Sequence, residues 1–183
     1  PLLACFFEEP FEPSPYSPIS RAFWSEIYVD PRAAAEFDAA VAASPAASVT
    51  GERIDYRHAM HDRRAAIEVL LRNLDARGGR RRDDFDNALD DDEELAGYAA
   101  FRACVERQGR TWQDWPSRAR DGTLRPGSDY DGESFRYHAY AQWLAREQVA
   151  AAALASPAGL YLDLPLGSHG GGYDTWRFRD DYV

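Results

Sequence analysis

One short apolar run, Leu160 to Leu166, has the length of a strand and is bounded by Gly159 and Gly167, whereas apolar residues elsewhere recur at helical spacing. A chain with one clear strand among many helices is helix-heavy for a complete α/β domain. Within the run sits Asp163. In a buried strand that carboxylate needs a partner, because an isolated buried charge is costly. Two readings stay open: a structural aspartate that caps a helix or pairs with an arginine, or a carboxylate that binds ligand at the mouth of a barrel. A glycine-rich loop follows, carrying Tyr173, Asp174, Trp176 and Arg177. A carboxylate near the end of a strand, followed by a polar and aromatic loop, is how α/β barrels assemble their sites.

The chain has 183 residues, 45% of them hydrophobic and 13% aromatic, enough for one medium domain with a real core. A net charge of -10 argues against non-specific nucleic-acid binding and against docking on anionic membranes. It leaves neutral ligands open. The 21 basic residues are all arginine, which reads as coding bias rather than chemistry. Cys5 and Cys104 lack metal-type spacing and form no disulfide framework, so a reducing, cytoplasmic setting is expected. No apolar stretch is long enough to span a bilayer. The start, Pro1 to Phe7, is apolar but too short for a signal peptide and has no basic leader. Beginning with proline and stopping at Val183, the sequence is expected to be a piece of a longer polypeptide.

Punctuation residues divide the chain. Pro10, Pro13, Pro15 and Pro18 predict an extended loop. Asp30-Pro31 predicts a capped helix to about Ala43, followed by a linker over residues 44–51. Asp55 or Tyr56 opens a second helix, which Gly78-Gly79 ends. The acidic stretch Asp83 to Glu94 lacks the spacing of a calcium loop and is expected to be a solvated, capping segment. Asp90 to Asp92 can cap a helix from about Glu93 to Arg107, stopped by Gly109. A long helix is expected from about Glu133 to Ala155, with Phe135, His138, Tyr140, Trp143, Leu144 and Val149 on one broad buried face.

Few motifs carry chemistry. Asp55 in Arg53-Ile-Asp55-Tyr56 reads as a helix cap rather than a catalytic group. His58 and His61 lack the further ligands that a metal site needs, and His138 on an aromatic face reads as a satisfied core histidine. Trp112 and Trp115 suit either sugar stacking or, more often, core packing. There is no nucleophile elbow, phosphate loop or dinucleotide fingerprint. No metal and no cofactor are expected.

Four segments in register resemble one family. Ser14-Pro-Tyr16-Ser-Pro-Ile-Ser20-Arg-Ala-Phe23-Trp24-Ser-Glu-Ile-Tyr28 resembles the N-terminal barrel loop of the amylomaltases, the 4-alpha-glucanotransferases. Arg53-Ile-Asp55-Tyr56 is similar to the family's Asp-Tyr segment, and Phe135 to Leu144 to its aromatic helix ending in Gln-Trp-Leu. Leu160 to Gly167 with Gly172-Tyr173-Asp174-Thr-Trp176 resembles its strand and following loop. Departures are Ser25 in place of asparagine, and Ser168, Gly170 and Gly171 in place of valine, proline and aspartate.

The resemblance implies a partial (β/α)8 TIM barrel with large, mostly helical insertions: barrel strand and loop over 10–30, insertion over 31–155, strand and site loop over 159–183. It implies transfer of α-1,4-glucan segments between maltooligosaccharides by a retaining route, and Tyr16, Ser20 and Asp163 as substrate-binding residues. The family's catalytic carboxylates lie beyond the matched segment, so none is assigned and the remainder of the barrel is expected to be required. The alternatives are a non-catalytic glucan-binding or degenerate fragment, or a helical protein-binding domain.

Overall fold

A computed structural model describes residues 2–7, 11, 14–43 and 55–182. Its helices are α1 (Ala39–Ala42), α2 (Tyr56–Arg77), α3 (Arg80–Asp91), α4 (Glu93–Gln108), α5 (Ser117–Arg120), α6 (Gly132–Ala155) and α7 (Tyr173–Arg177). Among the described residues there is no extended ladder, only single bridges between Leu3 and Trp24 and between Pro126 and Tyr130.

The helix limits follow from capping chemistry. Asp55, Asp92 and Asp131 each accept from a backbone N–H three residues on, at His58, Leu95 and Ser134. Gly109 ends α4 at φ 59°, in the left-handed region where glycine has no Cβ to clash. The acidic stretch is a helix of its own, α3, which buries Phe85 and reaches its neighbours through ion pairs.

The helix expected from Pro31 to Ala43 is broken. Pro31–Ala33 makes only a 3-10 turn, and Asp38 then caps α1 by accepting from Ala40 and Val41. Glu36, between them, is buried; it accepts from Tyr140 Oη at 2.9 Å and from Arg81 Nε at 2.5 Å. The break thus coincides with the segment that presents the Glu36 carboxylate to both partners. The linker over residues 44–51 lies outside the described residues.

Small residues let α4 and α6 pack closely. Ala99 and Ala103 of α4 and Ala139, Ala141 and Ala145 of α6 are buried, beside Tyr98, Phe101, Tyr137, Tyr140 and Leu144. One apolar cluster joins α4 to the N-terminal segment and α7, with Phe6, Ile19, Phe23, Tyr98, Phe101 and Trp176. The other joins α2, α3 and α6 through Ile67, Leu70, Leu74, Phe85, Tyr140 and Leu144. The apolar start of the chain is therefore core: Leu3 to Phe6 are buried, and Ala4 N–H donates to Phe23 O at 3.0 Å.

The segment Leu160 to Leu166 departs from expectation. It has no ladder partner among the described residues and bends at Leu166, and its large side chains are exposed, Tyr161 and Leu166 fully. A strand is stable only when neighbours take up its N–H and C=O groups. With no neighbour here, the run is neither laddered nor buried, and Asp163 is solvent-exposed. The described residues form a helix-dominated assembly with only isolated β-bridges.

His138 is the satisfied core histidine expected. Its Nε2 meets Glu106 Oε1 at 2.8 Å, and Glu106 also accepts from Arg64. Burial pushes the Glu106 carboxyl up, but the bonds from His138 and Arg64 outweigh it and hold the group well below the usual carboxylate range. Burial likewise lowers His138 from 6.5, with Glu106 opposing. Both groups therefore bind protons more readily in the unfolded chain. Stability is predicted to fall as pH drops from about 7 to about 4, first through the histidine and then through the carboxylate range. Thermal melts across that range check this, and His138→Gln is expected to flatten the upper part of the curve.

Candidate functional site

Tyr16 and Ser20 on one side, and Tyr173 and Asp174 on the other, belong to two loops whose roots are sewn together. Ile19 O accepts from Tyr173 N–H at 2.8 Å and from Asp174 N–H at 3.3 Å, so the first turn of α7 docks on the carbonyl of the proline-rich loop. His169 N–H donates to Pro18 O at 2.8 Å one step away. Close approach is possible because position 172 is glycine: a Cβ there would lie 2.5 Å from Ile19 O.

Asp174 completes the joint. It is buried, and its Oδ1 accepts from Ser20 Oγ at 2.5 Å. Its Oδ2 accepts from Arg21 N–H at 2.8 Å and from Ser168 Oγ at 3.2 Å. Ser20 Oγ in turn accepts from Ala22 N–H at 3.1 Å. These are charge-assisted bonds, which persist where a lone buried carboxylate would not.

The wall behind the joint is aromatic. Tyr173 is fully buried against Phe23, Tyr98 and Phe101, with ring centroids 5.5 to 5.7 Å away, and its hydroxyl donates to Glu94 Oε2 at 2.9 Å. Burial pushes the Tyr173 phenol up, and the Glu94 carboxylate adds to it. Gly97 makes room, since a Cβ there would lie 2.8 Å from the Tyr173 hydroxyl. A mid-helix glycine costs about 1 kcal/mol against alanine, and the seat for Tyr173 is the local reason to keep it. Trp176 Nε1 donates to Ala119 O at 2.9 Å.

The glycine loop is pinned from the side. Trp112 Nε1 and Gln113 Nε2 donate to Gly170 O at 3.1 and 2.8 Å, and Thr175 Oγ1 donates to the same carbonyl at 2.8 Å. His169 Nδ1 accepts from Gly171 N–H, and its ring packs edge-on to Phe6 at 5.1 Å. Trp115 is buried and donates to Arg110 O, so packing is its role.

The three substrate-binding candidates separate. Tyr16 is 78% exposed, on the loop that the joint holds. Ser20 is fully buried, with its hydroxyl donating to Asp174. Asp163 is exposed on the unpaired segment. Asp55 caps α2, and His58 and His61 both lean toward buried Asp62, at 3.4 and 3.6 Å. Among the described residues no group of His, Cys, Asp and Glu is arranged to hold a metal ion, and no helix is long and apolar enough to cross a membrane.

Asp174, Gly172, Glu94 and Gln142 escaped the sequence analysis as organisers. Gln142 exchanges two bonds with the Trp24 backbone, at 2.9 and 2.7 Å. The signal available was local: a run of glycines before an acidic residue, which combines backbone freedom with a group that can accept N–H bonds.

The joint yields a stability prediction. Gly172→Ala is expected to cost about 1–3 kcal/mol, because the obstructing atom is backbone and cannot rotate away. Asp174→Ala is expected to cost about 3 kcal/mol, since it strands the Arg21 N–H and the Ser20 hydroxyl. Chemical denaturation of the two variants checks both values.

The comparisons with known proteins agree. The family model described as 4-alpha-glucanotransferase matches residues 1–183. A protein of Mycobacterium bovis named 4-alpha-glucanotransferase is 29% identical over 195 residues, covering 94% of this chain and 26% of the relative. A protein of Mycobacterium tuberculosis with the same name gives the same figures. The chain thus spans about a quarter of the length of the curated relatives it matches. With its whole length matched by one family model, the chain belongs to the 4-alpha-glucanotransferase family.

Proposed function

We propose that this chain is the part of a 4-alpha-glucanotransferase that holds the α-1,4-glucan chain, and that the catalytic carboxylates are supplied by residues outside it. The observation that carries this is the joint at Ile19, Ser20 and Asp174. It fixes the root of the proline-rich loop while leaving Tyr16 exposed above it. An aromatic face held on a stiff loop covers the apolar face of a sugar ring at little entropic cost. Ser20 then acts through the loop rather than on the glucan, because its hydroxyl is turned onto Asp174. Asp163 reaches the substrate when Leu160 to Leu166 pairs with neighbouring strands of a barrel. The exposed leucines of that segment suit a strand covered on both faces.

The retaining route needs a nucleophile and an acid/base carboxyl about 5–5.5 Å apart. Asp55, the carboxylate nearest in pattern, already caps α2 and is assigned no such role. The product of this reading is an incomplete site: binding residues in place, chemistry elsewhere.

The test is maltotriose disproportionation by this 183-residue chain and by the full reading frame, side by side. Glucose and longer maltodextrins from the full frame alone are expected. Turnover by the isolated chain overturns the division of labour, and none from either overturns the transferase reading. In the full protein, Tyr16→Ala is expected to raise KM for maltotriose about tenfold, the loss of one aromatic contact, with a smaller change in kcat.

A further inference from the structure

His169, on the glycine loop, touches the proline-rich loop near both of its ends. Its N–H donates to Pro18 O at 2.8 Å. Its ring packs edge-on to Phe11 at 6.0 Å and to Phe6 at 5.1 Å, and those two phenylalanines stack on each other at 3.9 Å. Phe6 and Phe11 are buried, so this end of the loop is anchored in the core. Between the two anchors Ser14 O accepts from Cys5 Sγ at 3.4 Å, and Tyr16 stands exposed. Anchors at both ends leave the crest of the loop less conformational freedom to lose when it meets a ligand.

The ring is also held by its own loop. Nδ1 accepts from Gly171 N–H at 3.0 Å, while the His169 carbonyl accepts from Gly172 N–H at 2.8 Å and from Thr175 Oγ1 at 3.1 Å. Gly171 sits close against its neighbours: a Cβ there would lie 3.1 Å from Thr111 Cγ2 and 3.4 Å from His169 Nδ1. A backbone N–H can only donate, so Nδ1 carries a lone pair and the imidazole is neutral, with its proton on Nε2. A second proton would set N–H against N–H and break this bond. Histidine side chains take up that proton between about pH 8 and pH 5, and His169 is only half-buried, so solvent reaches it.

The charged and titratable groups on the elements around the ring are engaged elsewhere or exposed. Asp174 of α7 accepts from Ser20, Arg21 and Ser168, while Tyr173 and Arg177 reach Glu94. Arg102 of α4 lies 5.7 Å from the Phe6 ring and meets Tyr98 and Glu26. Burial pushes the Cys5 thiol up, and Asp114, beside Trp112 and Gln113, is exposed.

We propose that His169 is a positioning residue for glucan binding: its neutral ring latches the glycine loop to both ends of the proline-rich loop and so holds Tyr16 in place, and protonation of the ring releases the latch. This rests on the reading of Tyr16 as a glucan contact.

The test uses the protein from the full reading frame, with KM and kcat for maltotriose disproportionation measured from about pH 8 to about pH 5.5. In the parent, KM is expected to rise about fivefold as the pH falls, the loss of one hydrogen bond, with a smaller change in kcat. His169→Asn keeps an acceptor for the N–H two residues on but does not titrate, and is expected to flatten that rise. His169→Phe keeps the ring packing and loses the acceptor, and is expected to show the raised KM at every pH. Because His169 acts through Tyr16, His169→Phe is expected to add nothing to KM in a Tyr16→Ala background. A flat KM in the parent, a parent-like rise in His169→Asn, or additive effects of His169→Phe and Tyr16→Ala each overturns the inference alone. Should His169→Phe fail to fold, the His169→Asn profile decides. If Tyr16→Ala itself leaves KM unchanged, the glucan-contact reading falls and takes this inference with it.

Discussion

A single buried carboxylate holds the proline-rich loop and the glycine loop together. Asp174 meets Ser20 across 154 residues of sequence, and beside it the Ile19 carbonyl takes two N–H groups from the first turn of α7. Without this joint the proline-rich loop and the glycine loop are two surface segments with no fixed relation. With it they form one surface, backed by Tyr173 and Trp176 in the aromatic core. The charge tolerates burial because three donors surround it, each stronger for being charge-assisted.

The remaining framework depends on arginine more than composition implied. Read from sequence, an all-arginine chain looked like coding bias. In the structure Arg64, Arg81 and Arg136 each lie over an aromatic ring, of Tyr137, Trp143 and Phe85, at 4.3 to 4.9 Å. Each also reaches two carboxylates: Arg81 binds Glu36 and Glu147, and Arg136 binds Asp75 and Asp86. A planar fork can stack and pair at once, which an ammonium cannot. These pairs tie α3, α2 and α6 together and explain how α3, with little apolar surface, stays attached.

The helices were legible because their signals are local. Asp55, Asp92 and Asp131 each bond a backbone group three residues on, and Gly109 ends a helix by its own φ. Those relations need no distant residue. The helix expected from Pro31 is broken where Glu36 meets Tyr140, 104 residues away, a relation that local signals do not carry. The strand at Leu160 was read from its apolar run, but a strand exists only by pairing, and no neighbour pairs with it among the described residues. The family was legible too, through four segments in order, although no one of them carries chemistry alone.

By itself, then, the sequence determined the caps of α2, α4 and α6, the core role of His138 and the family to which the chain belongs. Each follows from a backbone rule or from residue order. Tertiary structure alone decided that Asp174 is buried and Asp163 exposed, that Ser20 faces inward, and that Glu26 and Arg102 are buried side by side. Those outcomes depend on groups brought together from remote parts of the chain, where burial and hydrogen bonding decide which charge can persist.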